Sequence, residues 1–232
     1  MEFRAVLFDL DNTLFDHLTS ARGGLDTFVR SFGVELTPDL SNSWFEIEQA
    51  NYDLFLSGEL SFHAQRRERL RQFLPLIGHP GPVGATELDE VFAIYLRSYE
   101  EAWTAFPDAV PTLELLRSSG TTVGVITNGN HEQQAKKIKR IGIEPLLDLF
   151  FSSEQMGHAK PTSSAFILPC EKMGISPSQV LYVGDNFRVD IEGARAAGLQ
   201  AIHLDREDAG QPMTLRSLTD LVPLLKIEAT AP

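Results

Sequence analysis

Short apolar runs, each ending in a polar or turn residue, most constrain what this chain can fold into. They fall at residues 4–9 (RAVLFD), 121–128 (TTVGVITN), Leu149–Ser152 (LFFS), 180–185 (VLYVGD) and 201–205 (AIHLD). They are rich in β-branched and aromatic residues and nearly continuous. A strand with one wet face alternates; a strand buried on both faces does not. The runs therefore predict a parallel sheet covered on both sides. Helical patterns separate them at 109–118, 131–141, 163–173 and 190–197, the first stopping before Gly120 and the last at Gly198. Strand-helix alternation predicts an α/β fold with a doubly wound, mostly parallel sheet. Ligands on such sheets sit beyond the carboxyl ends of the strands. Asp9, Thr127, Asn128 and Asp185 end the runs, so they are expected to gather at one edge.

Residues 17–100 break this rhythm. They read as helices at 18–32, 38–57, 61–74 and 87–103, with turn-rich GHPGPVG before the last. The expected organisation is an α/β core from 1–16 and 101–232, interrupted after its first strand by an all-α insert at 17–100. Phe15, His17, Phe45, Tyr52 and Phe55 suit core packing, and secondarily stacking on a base or sugar. Arg66, Arg67, Arg69 and Arg71 surround Glu68 and do not share one helix face, so most are expected to be solvated. The tail at 230–232 is expected to fray.

Charge and cysteine usage narrow the function. The formal charge of −12 repels nucleic-acid phosphates, which argues against a polymer ligand. Cys170 is the single cysteine, so no intrachain disulfide forms and a cytoplasmic location is expected. Its apolar surroundings suit a small buried hydrophobe. No apolar stretch approaches the ~18 residues of a membrane span. The N-terminal apolar run is too short for a signal peptide.

Four polar pieces punctuate the strand ends and helix starts. Asp9 and Asp11, with Thr13 close behind, place two carboxylates where a strand stops. That suits a hard cation such as Mg²⁺, or a nucleophile paired with an acid or base. Alone, Asp-x-Asp fits a solvated turn better than either. Thr127-Asn128-Gly129 offers neutral donors to a phosphate. Lys160-Pro161 precedes a helix, with Pro161 suited to its first turn. Gly184-Asp185-Asn186 with Asp190 adds metal-binding carboxylates. Each is weak alone; their conjunction in this order is far more specific.

In that order the four pieces resemble the motifs of the haloacid dehalogenase-like (HAD) hydrolases, across essentially the whole chain. The resemblance implies a Rossmann-like core with an inserted cap domain. It implies Asp9 as nucleophile forming an aspartyl-phosphate, and Asp11 as acid and then base. Thr127, with Asn128, would bind the phosphoryl group, and Lys160 would offset charge on Asp9 and phosphate. It also implies a Mg²⁺ ion held by Asp9, Asp185 and the Asp11 carbonyl, with Asn186 and Asp190 supporting them. Phosphoryl transfer needs positioning and charge stabilisation above all.

Within the family, dehalogenases are implied to lack the second aspartate and the metal. Asp11 therefore favours a phosphatase, because an alkoxide leaving group needs a proton and a halide does not. No lysine precedes Lys136, so the cap Schiff base of a phosphonatase has no nucleophile. Residues 126–129 (ITNG), 159–161 (AKP) and 51–62 are similar to 5′-nucleotidases and N-acylneuraminate-9-phosphatases. The expected protein is a Mg²⁺-dependent phosphomonoester hydrolase, monomer or homodimer, acting on a small nucleoside or sugar phosphate. The alternatives are a 2-haloacid dehalogenase and a catalytically silent binding protein.

Overall fold

In the computed structural model, residues 3–206 and 214–225 are described, apart from the side chain of Leu56. The expected frayed tail lies outside them. The chain divides into two compact units, Met1–His17 with Thr104–Pro232, and Leu18–Trp103.

In chain order the main elements begin with β1 (Ala5–Phe8), α1 (His17–Arg30), α2 (Pro38–Leu56), α3 (Phe62–Phe73) and α4 (Ala85–Glu101). Next come α5 (Ala109–Ser118), β2 (Thr122–Thr127), α6 (His131–Arg140), β3 (Leu149–Ser152), α7 (Ser153–Met156) and α8 (Ser164–Met173). β4 (Val180–Gly184), a π-helical turn (Phe187–Glu192), α9 (Gly193–Ala196), β5 (Gln200–Leu204), β6 (Thr214–Leu215) and α10 (Leu221–Leu224) complete them.

The first unit is built on a six-stranded sheet ordered β3-β2-β1-β4-β5-β6. Each neighbouring pair of strands in this sheet is parallel. β1 is central, and its four residues are fully buried, which is why its sequence shows no alternation. Phe8 pairs with Val125 on one side and Val183 on the other. The three strands therefore end nearly level, and the residues that follow them emerge at one edge. Strand order turns back between β1 and β4, which is the topological switch point of such a sheet. The two-residue edge strand β6 was not foreseen, since two residues carry no period.

Two local differences from expectation have clear causes. The helix expected at 190–197 starts earlier, because Asn186 Oδ1 caps the Val189 amide at 2.9 Å. Pro161 does not open a helix. α8 begins only at Ser164, after a turn in which the Ala165 amide bonds the Thr162 carbonyl.

The second unit contains α2, α3, α4 and all of α1 beyond His17. Thr37 caps α2 through the Leu40 amide, with Pro38 in its first turn, and Ser61 caps α3 through the Ala64 amide. The core is aromatic. Trp44 is fully buried, with ring centroids of Tyr95 at 4.6 Å, Phe73 at 4.8 Å and Phe28 at 6.1 Å. Gly24 lets α1 approach α4, since a Cβ there would lie 2.5 Å from Tyr99 Cα. Tyr52 stays exposed rather than joining this core. The arginines are less solvated than expected. Arg69 is buried, stacks 4.6 Å from Trp44 and bonds Glu48 at 2.9 Å, while Arg67 pairs with Asp89. A guanidinium tolerates such burial because its flat face suits aromatic rings.

Phe73→Ala removes a fully buried ring from this core and is expected to destabilise the helical unit by about 3–5 kcal/mol. Both tryptophans, Trp44 and Trp103, lie in this unit, so urea unfolding followed by tryptophan fluorescence reads it directly. A shift below ~1 kcal/mol would contradict the packing described.

Candidate active site

The β1 ladder runs one residue past the strand, with the Asp9 amide donating to the Val183 carbonyl at 2.9 Å. The chain then turns tightly. The Leu14 and Phe15 amides both donate to the Leu10 carbonyl, at 3.0 and 2.8 Å. Asn12 adopts φ 60°, a left-handed conformation that asparagine accepts more readily than most residues. This turn sends the Asp9 and Asp11 side chains to different partners.

Asp9 meets Lys160, which arrives from the loop before α8. Nζ donates to Asp9 Oδ1 at 2.5 Å, Asp190 Oδ1 at 2.6 Å and Tyr182 OH at 2.9 Å. An ammonium has three N–H donors, so all are used. Tyr182 in turn donates to the Ile126 carbonyl at 3.1 Å. Asn128 holds the Lys160 backbone from both sides: its Nδ2 donates to the Lys160 carbonyl and its Oδ1 accepts the Lys160 amide, at 3.0 and 2.9 Å. Its amide and carbonyl are engaged in bracing the lysine.

The second oxygen of Asp190 accepts the Asn186 amide at 3.0 Å. The Asn186 side chain is occupied in capping the following turn. Gly184 is required here, because a Cβ would lie 2.5 Å from Asp190 Cγ. Asp185 lies beside them, its carbonyl 2.7 Å from His203 Nε2.

Asp9, Asp185 and Asp190 bring one carboxylate oxygen each within 4.8 Å of one another. Burial pushes the Asp9 carboxyl up to about 8; the Lys160 ammonium opposes this, while Asp190, Asp185 and Asp11 reinforce it. Burial and then Asp190 push Asp185 up to about 6. Burial disfavours the Lys160 ammonium, but Asp9 and Asp190 outweigh it and hold the lysine charged. One ammonium thus faces three carboxylates. A hard divalent cation with oxygen ligands fits that donor set and its uncompensated charge.

Asp11 has separate partners. Lys137 Nζ donates to Oδ1 at 2.5 Å and Gln134 Nε2 to Oδ2 at 2.9 Å. Burial opposes ionisation of Asp11, yet the Lys137 charge and both hydrogen bonds hold its pKa below the ordinary value. Gln134 also donates to Thr127 Oγ1 at 2.7 Å, so Thr127 lies beside this second carboxylate. The Thr13 hydroxyl is buried without a hydrogen-bond partner. His158 is exposed, and Cys170 is buried with its thiol pushed up to about 11 by that burial.

The structure thus brings Asp9, Lys160, Asp185 and Asp190 together, and ties Asp11 to Thr127 through Gln134. Sequence reasoning missed Tyr182, Gln134 and Lys137. Tyr182 looks like one more apolar residue of its run. Gln134, Lys137 and Ile138 recur at i, i+3 and i+4, and this spacing was the available signal that α6 turns a polar pair inward.

The comparisons with known proteins agree with this geometry. The family model described as haloacid dehalogenase-like hydrolase matches residues 3–198. A ribulose-1,5-bisphosphate 5-phosphatase of Halopiger xanaduensis is 30% identical over 205 residues, covering 87% of this chain and 84% of that protein. A glyceraldehyde 3-phosphate phosphatase of Methanopyrus kandleri is 29% identical over 209 residues, covering 88% and 84%. In fold, the chain is similar to the Bacillus subtilis protein YfnB, described as a HAD-hydrolase bound to magnesium, with TM-score 0.80, 24% identity and coverage of 98% and 100%. A 2-haloacid dehalogenase of Pseudomonas syringae has TM-score 0.62, 28% identity and coverage of 97% and 98%. With a family match over most of its length, a Rossmann-like core and relatives that are phosphatases, the chain belongs to the haloacid dehalogenase-like hydrolases.

Proposed function

We propose that this protein is a Mg²⁺-dependent phosphomonoester hydrolase working through an aspartyl-phosphate on Asp9. The observation that carries this is the unequal treatment of the two aspartates. Asp9 lies among carboxylates with an ammonium on it, while Asp11 has its own lysine and amide. A nucleophile and a proton-transfer group need such different surroundings.

Asp9 attacks phosphorus, forming the Oδ–P bond as the ester P–O bond breaks. Asp11, held as a carboxylate before substrate arrives, takes the proton of the incoming phosphate monoanion and gives it to the departing alkoxide. It then takes a proton from the water that attacks the acyl phosphate, releasing Asp9 and inorganic phosphate. Lys160 neutralises charge shared by Asp9 and the incoming phosphate. The Thr127 hydroxyl binds the transferring group. Asp9, Asp185 and the Asp11 carbonyl would hold Mg²⁺, which would supply the further positive charge that two meeting anions need. Asp190, with both oxygens engaged by Lys160, Tyr182 and the Asn186 amide, orients that shell.

The relatives' named substrates are small sugar phosphates. We assign the same substrate class here, with a nucleoside 5′-monophosphate as the narrower option suggested by residues 126–129. The inserted helices take the role of the family's cap. The dehalogenase reading is favoured by the fold likeness to a 2-haloacid dehalogenase. Against it stands Asp11, which a halide leaving group does not require.

Turnover of p-nitrophenyl phosphate is expected to require added Mg²⁺ and to stop with EDTA. Asp9→Asn is expected to reduce it by on the order of 10³-fold or more with an unchanged circular dichroism spectrum. Normal turnover by that variant would remove Asp9 from the nucleophile's role. No chloride is expected from 2-chloropropionate; its steady release would establish the dehalogenase instead. Tyr182→Phe strips one acceptor from a buried ammonium and is expected to cost about 1–3 kcal/mol of stability in thermal or urea unfolding.

A further inference from the structure

We infer that Lys137 and Gln134 are positioning residues for Asp11, aiming its carboxylate and coupling it to Thr127. This rests on the phosphatase reading above.

The first support is the burial of Lys137. α6 carries three other basic residues, Lys136, Lys139 and Arg140, and all are exposed. Lys137 alone turns inward and is 5% exposed. Burying an ammonium costs free energy unless it is paired. Its partner is Asp11 Oδ1 at 2.5 Å, with the Phe15 ring centroid 4.8 Å from Nζ. A cation over an aromatic face gains a further electrostatic attraction.

The second support is how the carboxylate is held. A carboxylate on a single donor can still turn, since the terminal torsion of aspartate is broad and roughly two-fold. Here each oxygen has its own donor, Lys137 on Oδ1 and Gln134 on Oδ2. Two donors on two oxygens fix that torsion. Gln134 Nε2 has two hydrogens. Its two shortest contacts, Thr127 Oγ1 at 2.7 Å and Asp11 Oδ2 at 2.9 Å, account for both. One amide therefore sets the spacing between the group that moves the proton and the hydroxyl that binds the phosphoryl group. Misplacing such a group by about 1 Å costs roughly 10²-fold in rate. Neither residue needs to touch substrate, because both act through Asp11.

A double-mutant cycle tests this. The substrate is the fastest alkyl phosphate among glycerol 2-phosphate, glyceraldehyde 3-phosphate and phosphoglycolate, with p-nitrophenyl phosphate establishing wild-type activity first. Lys137→Met and Gln134→Leu are each expected to lower kcat by about 10–100-fold with KM changed less than about threefold. Lys137→Arg, which keeps the cation, is expected to retain more activity than Lys137→Met. In an Asp11→Asn background, assayed at high enzyme concentration, Lys137→Met is expected to change kcat by less than about twofold, because the group it aims is gone. Equal losses in both backgrounds, or an unchanged kcat in the single variants, would overturn the assignment while leaving an active phosphatase. If Lys137→Met does not fold, the same cycle with Gln134→Leu decides. A wild type inert toward every ester overturns the phosphatase reading and this assignment with it.

Discussion

The Lys160 ammonium is the interaction on which the edge of this sheet depends. It is buried, and its three hydrogen bonds reach Asp9 beyond β1, Tyr182 within β4 and Asp190 beyond β4. Its backbone is braced by Asn128 beyond β2. One side chain therefore joins segments far apart in sequence. Removing a partner from a buried ion pair costs about 3–5 kcal/mol. Here that loss would also leave Asp9 and Asp190 repelling each other across a dry site. The same geometry leaves charge over, since one ammonium cannot balance Asp9, Asp185 and Asp190. Burial first, and then the neighbouring carboxylates, raise the Asp9 and Asp185 pKa values, and a divalent cation would offset the charge left over.

The sheet makes this convergence unavoidable. Parallel strands that end level deliver every following residue to the same edge, and the order β3-β2-β1-β4 brings the turns after β1, β2 and β4 side by side. The strands could be found because burial on both faces removes their alternation. Five of the six were legible for that reason. β6, two residues long, left no pattern.

The site was legible where a residue type was out of place for its position. An aspartate ending an apolar run, or a lysine before a helix, is visible without a structure. Tyr182 was invisible because an aromatic ring suits a buried strand whether or not its hydroxyl is used. Asn128 was seen, but not its hold on Lys160: sequence shows that an amide follows β2, not that the Lys160 backbone lies against it. Arg69 was not singled out from its cluster, because helix spacing cannot reveal a stack of aromatic rings contributed by other helices.

Two lysines divide the chemistry between two carboxylates. Lys160 pairs with Asp9 but shares its charge with Asp190, and burial pushes the Asp9 carboxyl up to about 8, so its ionised form is poorly compensated. Lys137 pairs with Asp11, and Gln134 takes the other oxygen. These are opposite electrostatic solutions within two residues of chain. Under the proposed mechanism, the group that bonds to phosphorus would gain its missing positive charge only when metal and substrate are bound. The group proposed to move the proton gains from a fixed orientation, and its stabilised carboxylate is the form that can accept one. The turn at Asn12 makes the division physical, because it stops Asp9 and Asp11 from sharing the face that an uninterrupted strand would give them.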